Sequence, residues 1–279
     1  MVRVRVVTDS TADMDMDEAQ RLGVTIVPLR VRWDGESYRD KIELSIDAFY
    51  EKLKAEKGVP RTSQPSAGEF EDAYRRLLEE AEGVVSIHIS GGLSGTVNTA
   101  RLMANSVDPD RIAVIDSMTT SYSQGSTVLK VARLAADGAP LSECVALAED
   151  LVPRLRLFCV LDTLEFIRRG GRIGRAQAIA GTLLSIKPIV HLHEGSVYPS
   201  DRVRTRGAAV RRCAELVREL GPLEDAAALY GDNPEPAEQL RELLQRDHPE
   251  LEVKLGRTGS TLGTHTGPGV FAACAVLAR

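Results

Sequence analysis

Short apolar runs set off by polar turns recur along this chain, and in its first half they alternate with stretches of helical spacing. Valines at 2, 4 and 6, separated by Arg3 and Arg5, predict a strand over 2–7. A helix over 15–22 follows, with acids in its first turn and Gly23 as its stop. Residues 24–31 read as one extended segment, and Asp34-Gly35 marks a turn. Ser45 caps a predicted helix running to 56, and Gly58-Val59-Pro60 breaks the chain before another over about 67–81. Val84-Val85-Ser86-Ile87-His88-Ile89 has the composition of a strand buried on both faces. It leads through Ser90-Gly91-Gly92-Leu93-Ser94-Gly95-Thr96 into a helical pattern over 97–103. A strand at 112–115 ends in Asp116-Ser117-Met118-Thr119-Thr120, and helices are predicted over about 121–136 and 141–153.

The pattern changes near Arg154. A strand at 157–161 and a short helix at 164–169, stopped by Gly170-Gly171, precede a hairpin of 186–193 and 197–203 around Glu194-Gly195-Ser196. A helix at 205–220, a strand near 226–231, a helix at 234–246 and a strand at 251–255 come next. The chain closes with a glycine-rich loop over 256–269 and an apolar stretch to 277. The fold class is therefore α/β with two domains. Residues 1–155 would form a parallel-sheet, Rossmann-like domain, and residues 156–279 an α/β domain with a mostly antiparallel sheet.

Composition narrows the function. A net charge of −5 argues against nucleic acid as partner, although arginines cluster at 168–175 and 202–212. No apolar run reaches the roughly 18 residues that span a bilayer, and no transmembrane segment is expected. Cys144, Cys159, Cys213 and Cys274 are scattered, and the N-terminus lacks a signal peptide's apolar core. Reduced thiols and a cytoplasmic location are expected.

In parallel sheets ligands sit at the carboxyl ends of strands. Three hydroxyl-rich loops, at 8–13, 90–96 and 116–120, follow predicted strands and are placed to converge there, with Thr62-Ser63 as a fourth contributor. The 90–96 loop reads as an anion cradle, with small residues, free N–H groups and a helix N-terminus worth about half a positive charge. It has no Walker lysine, and Gly91, Gly92 and Gly95 lack dinucleotide-loop spacing, which leaves an anion site or an ordinary capped turn.

Other constellations read as structural. Asp9 lacks the second aspartate of the aspartyl phosphatases, so helix capping is favoured. Gly-x-Ser-x-Gly is missing around Ser94, which weakens a serine hydrolase. His191 and His193 have no third ligand nearby, and His88 reads as a satisfied core histidine. Neither a metal nor a cofactor is implied. His265, between Gly263 and Gly267 on an apparently flexible loop, is read as functional.

Taken together, the motifs resemble the DegV family. They are Thr8-Asp9-Ser10-Thr11, Thr62-Ser63-Gln64-Pro65-Ser66, the 90–96 loop, Asp116-Ser117, Leu164-Glu165-Phe166-Ile167-Arg168-Arg169-Gly170-Gly171-Arg172-Ile173, Ile186-Lys187-Pro188-Ile189 and His265-Thr266-Gly267-Pro268-Gly269. They span nearly the whole chain in family order. The resemblance implies a binding protein rather than an enzyme, with one long-chain fatty acid such as palmitate in a tunnel between two domains. It places the carboxylate on Thr62 and Ser94 and the head-group network on His265, Gly95 and Ser63. The partner it implies is a bacterial fatty acid kinase, whose ATP-binding subunit phosphorylates the carboxylate to an acyl phosphate used in phospholipid synthesis. Arg169, Arg172 and Arg202 match family residues implied in kinase docking or phosphate handling. Two alternatives stand beside this: a free-standing hydrolase or phosphotransferase using the 90–96 loop, and a lipid-sensing regulator with no kinase partner.

Overall fold

The computed structural model describes residues 2–55, 58–179 and 186–279. Its first layer is a four-stranded parallel sheet. β1 (Val2–Asp9) leads through α1 (Met16–Arg21) to β2 (Thr25–Val27). The chain then leaves that sheet for a three-stranded antiparallel one made by β3 (Arg30–Trp33), β4 (Glu36–Arg39) and, beyond α2 (Ile46–Ala55), β5 (Arg61–Ser63). The Phe49 and Tyr50 rings of α2 pack with Trp33 and Val31 beneath this small sheet. The parallel sheet resumes with α3 (Ala67–Glu80), β6 (Ala81–His88), α4 (Thr96–Val107) and β7 (Ile112–Asp116), in strand order β2-β1-β6-β7. α3 shows why its segment folds locally: Ser66 and Glu69 close a capping box, and Phe70, Ala73, Tyr74 and Leu77 repeat at the spacing of one buried face. α5 (Ser121–Ala136) and α6 (Leu141–Leu151) cover the opposite face through Val128, Val131, Ala132, Cys144 and Ala148.

A 3₁₀ turn at Val152–Arg154 leads into a six-stranded sheet. Its elements are β8 (Leu155–Val160), α7 (Glu165–Arg169), a 3₁₀ segment Gly174–Ile179, β9 (Lys187–His193), β10 (Ser196–Val203), α8 (Arg206–Arg218), β11 (Leu223–Tyr230), α9 (Glu235–Asp247), β12 (Lys254–Arg257), α10 (Ser260–Thr266) and β13 (Phe271–Leu277). The order is β10-β9-β8-β13-β11-β12, antiparallel except for the β11–β12 pair. The period of two sorts its side chains onto two faces. Phe158, Val160, Ile189, Ala226, Ala228, Phe271, Ala273 and Ala275 lie beneath α8 and α9. Leu157, Cys159, Val190, Ala227, Leu229, Ala272 and Cys274 face the other way, together with Tyr122 of α5. That second face looks towards the parallel sheet.

Three sequence expectations change. The extended segment 24–31 is two strands in different sheets, because Pro28, which has no N–H to offer a ladder, separates them. The glycine-rich stretch 256–269 holds the end of β12 and the helix α10. There Gly263 lets the helix approach the Phe49 and Tyr50 rings, where a Cβ would meet Phe49 at 2.6 Å. The strand placed at 251–255 lies instead at Lys254–Arg257. The predicted helix ending at 56 finishes outside the described residues. Among the described residues, no helix is long and apolar enough to cross a membrane.

Candidate functional site

The carboxyl ends of β1, β6 and β7 face the free side of the six-stranded sheet, and the three hydroxyl-rich loops do meet there. Ser90 N donates to Thr119 O at 2.8 Å, Ser121 N to Thr11 O at 3.0 Å, and Gly91 N to the Asp116 carboxylate at 3.1 Å. Between these loops and the sheet lies a cavity of about 300 Å³. Its walls are mostly aliphatic, with Leu157, Cys159, Leu161, Val190, Leu192 and Ala272 from the sheet and Leu29, Ile89 and Leu93 opposite. Polar side chains enter at defined points, among them Thr62, Ser63, Ser94, Arg172 and His265.

Thr62 and His265 form the polar centre of this group. β5 carries Thr62 opposite Val31, and α10 carries His265 to it, so Thr62 Oγ1 and His265 Nε2 lie 2.8 Å apart across 203 positions of sequence. The imidazole is mostly buried, and its Nδ1 has no hydrogen-bond partner. That edge packs on the Gly170 backbone, and a Cβ on Gly170 would collide with the ring. Burial, reinforced by the positive charge of Arg172, pushes the His265 pKa down to about 4. The ring is therefore neutral near pH 7. With Nε2 protonated it donates to Thr62, which leaves the threonine hydroxyl free to donate into the cavity.

An unfolded histidine titrates near 6.5. Between that value and about 4 the unfolded chain binds the proton that folded His265 refuses, so stability falls as pH drops through this window. Each pH unit inside it corresponds to about 1.4 kcal/mol. Thermal unfolding of the wild type should therefore lose more stability between pH 6.5 and 4 than that of His265→Asn, and parallel curves would refute the assignment.

The 90–96 loop differs from the anion cradle expected of it. Its backbone N–H groups are largely used within the fold. Gly91 N donates to Asp116, Gly92 N to Ser90 Oγ, Leu93 N and Ser94 N to Ser90 O, and Thr96 N to Ser94 Oγ. What the loop offers the cavity is the Ser94 side chain, whose hydroxyl lies 2.8 Å from Thr96 Oγ1. Gly95 stands at the N-cap of α4 and provides no side-chain cap. Gly95 does not line the cavity; a Cβ there would collide with Gln64, whose amide donates to Thr99 at 2.6 Å and ties the β5 segment to α4. Gly92 meets the backbone of Gly195 at the tip of the β9–β10 hairpin, and Ser90 Oγ donates to Gly195 O at 2.8 Å.

The three arginines occupy different places. Arg172 donates from Nε to Leu93 O at 3.0 Å and from Nη1 to Gly170 O at 2.6 Å, so it braces the loop that bears Ser94 and the turn behind His265. Arg169 pairs with Glu165 at 2.6 Å and, with Arg61, Thr62, Phe166, Arg172 and His265, lines a second, more polar cavity that opens on the same Thr62–His265 pair. Arg202 is exposed on β10, opposite Pro188, and lines neither cavity. His191 bonds Ser200 at 2.7 Å and borders the apolar cavity, and no group of three metal-ligating side chains lies together among the described residues.

Asp9, His88 and Ser86 are connected in the order of a hydrolase triad, yet they lie in the core. His88 bonds Asp9 at 3.0 Å and Ser86 at 2.6 Å, Tyr74 donates to Ser86 at 2.8 Å, and all three triad-like residues are fully buried. Burial alone would raise the Asp9 carboxyl, but hydrogen bonds and charge from His88, with further bonds from Thr11 and Ile89, hold it below the usual carboxylate range. Substrate has no route to Ser86, and the network fastens β1 to β6. The sheet residues that line the apolar cavity carry no signal of that role in the sequence. Their alternation was readable, but not which face was left without helices.

Comparison with known proteins agrees with this architecture. A family model described as an uncharacterised protein of the DegV family matches residues 3–278. A DegV domain-containing protein of Deinococcus radiodurans is 38% identical over 281 residues, covering 95% of each chain. The solved structure of a DegV family protein from Thermus thermophilus, described by its fatty acid binding, superposes with a TM-score of 0.91 at 37% identity, covering 99% of this chain and 100% of that one. That of DegV from Bacillus subtilis, described as a fatty acid binding protein, gives 0.89 at 33% identity and full coverage of both chains.

Proposed function

We propose that this chain, which belongs to the DegV family, binds one long-chain fatty acid such as palmitate and presents its carboxylate to a fatty acid kinase. The observation that carries the reading is a mainly aliphatic cavity ending at the Thr62–His265 pair. In this reading Thr62 and Ser94 donate their hydroxyls to the carboxylate. Neutral His265 orients Thr62, and Arg172 fixes the loop that carries Ser94. Residues 1–155 would supply the Thr62 and Ser94 loops with Leu29, Ile89 and Leu93, and residues 156–279 most of the apolar wall together with His265 and Arg172. About fifteen buried methylenes at ~0.8 kcal/mol each are worth roughly 12 kcal/mol before association costs. A charge-assisted hydrogen bond adds only about 1.5–3 kcal/mol, so the tail sets affinity and the hydroxyls set position. Hydroxyl donors also leave the carboxylate more nucleophilic than a bidentate arginine pair would, which suits its later attack on a phosphoryl group. The polar cavity lined by Arg61, Arg169 and Arg172 lies on the same Thr62–His265 pair and is where the kinase's phosphate donor would approach.

Denaturing extraction of the purified protein followed by mass spectrometry should release a long-chain fatty acid. A clean apo protein that also ignores added palmitate and oleate would overturn the binding reading. The presentation step has its own test. Thr62→Val combined with Ser94→Ala should retain most palmitate binding yet lower kinase-coupled acyl phosphate formation by at least tenfold. Undiminished turnover would remove the assigned roles.

A further inference from the structure

Asp40 and Lys41 lie just beyond β4, Asp40 almost fully buried and Lys41 with its side chain 16% exposed, and neither lines a cavity. Lys41 Nζ donates to Asp13 at 2.9 Å and to Ala12 O at 3.3 Å. The same Asp13 oxygen accepts at 3.1 Å from the N–H of Gly259, the cap residue of α10, and the other accepts from Ser121 Oγ at 2.8 Å. A Cβ on Gly259 would collide with the Lys41 stem at 2.6 Å. The Asp40 carboxyl lies within hydrogen-bonding reach of the Thr261 and Ser10 hydroxyls. Ser10 Oγ accepts from Leu29 N at 3.1 Å, which leaves its own proton for Asp40. Burial pushes the Asp40 pKa up and the positive charge of Lys41 opposes this. Ionised or neutral, the carboxyl still accepts from a hydroxyl.

α10 needs such a hold. It has seven residues, fewer than two turns, with Gly263 inside it, so its orientation is set by what it packs against. The Asp13–Gly259 bond fixes one end of the helix but leaves it free to turn about its axis. The contact of Gly263 with Phe49 and Tyr50 sets how deep the helix lies rather than its rotation. A turn of about 20° carries a side-chain tip about 6 Å from the axis through roughly 2 Å, enough to break a hydrogen bond. Thr261 and His265 are four residues apart and stand on one helix face. The three-stranded sheet meets both, with Asp40 beyond β4 at Thr261 and Thr62 of β5 at His265. Gly170 closes the other edge of the imidazole without a hydrogen bond. We infer that Asp40 is a positioning residue for the head-group site: its contact with Thr261 sets the rotation of α10 and so brings His265 Nε2 onto Thr62. What this means for a bound carboxylate rests on the fatty acid reading above; the placement of His265 does not.

Ring-proton NMR tests the placement without lipid, with His265→Asn used to assign the His265 signals. In the wild type these should stay constant from about pH 8 to about pH 5, because the midpoint lies at about 4. Thr261→Val removes only the hydroxyl and should raise the His265 midpoint by about one pH unit or more, towards the 6.5 of a free histidine. Asp40→Ala should do the same, and Thr261→Ser should keep the wild-type curve. On the functional side, acyl phosphate formation by the kinase at saturating palmitate should fall about fivefold or more in Thr261→Val and Asp40→Ala and persist in Thr261→Ser. A midpoint that stays at its wild-type value in either folded variant would overturn the inference, whatever stability that variant loses. A raised midpoint with undiminished turnover would overturn the role at the head group. Wild-type protein that yields no acyl phosphate would instead sink the presentation reading, and the NMR result would still decide the placement.

Discussion

Ala272→Phe should cost palmitate binding at least two orders of magnitude while leaving the fold intact. Ala272 lies on β13, near the middle of the six-stranded sheet, with its side chain towards the cavity. A phenyl ring there enters space that the protein does not otherwise fill, so the usual penalty for overpacking a closed core is largely avoided. The ring excludes about four methylenes of the acyl chain, worth roughly 3 kcal/mol, or about two hundredfold in Kd. Titration with a displaceable fluorescent fatty acid measures the loss, and thermal unfolding without ligand is the control. Unchanged affinity would mean that the acyl chain lies elsewhere. Phe158 and Val160 flank Cys159 on β8 but point beneath the helices, so enlarging Val160 should damage stability rather than binding.

The largest effect on stability is expected from Asp9→Ala. Its carboxylate accepts from His88 Nδ1, Thr11 N, Thr11 Oγ1, Ile89 N and Gln124 Nε2, all in the core. Removing it leaves several buried donors without an acceptor, a loss of about 3–5 kcal/mol by analogy with broken buried pairs. Urea unfolding reads the loss directly. A change below about 1 kcal/mol would mean that the network is dispensable. Because the Asp9 carboxyl is held below its unfolded value, the same stabilisation should fade in the wild type as pH falls through the acid range, independently of His265.

Much of the parallel sheet was legible because its strands are β-branched runs closed by hydroxyl or aspartate turns, as Val84–Ile89 and the run before Asp116 show. Two kinds of feature were not. Ser260-Thr261-Leu262-Gly263 has poor intrinsic helix propensity, and α10 exists because Gly263 lets it close on Phe49 and Tyr50, a tertiary contact with no local trace. The 90–96 loop looked like a set of free N–H groups, since side chains elsewhere decide which of them are taken. Asp116 and Ser90 take four of them with side-chain oxygens or a carbonyl before any ligand arrives. Thr62, Ser94 and His265 could be singled out by motif and not by spacing, because β5, the α4 loop and α10 meet only once three sheets have assembled.

The meeting of Gly92 with Gly195 has a consequence for how this chain can vary. Neither glycine lines the cavity, yet a Cβ on Gly92 would collide with the Gly195 backbone and a Cβ on Gly195 with the Ser90 hydroxyl. A substitution or insertion at the hairpin tip therefore cannot be absorbed by solvent. It displaces Ser90, and with it Ser94, whose N–H donates to the Ser90 carbonyl. Tolerance at the turn of Glu194 and Gly195 is then set by the head-group loop, so this turn should stay fixed in length while the rest of the hairpin drifts, and it offers a remote handle on where a carboxylate would be held.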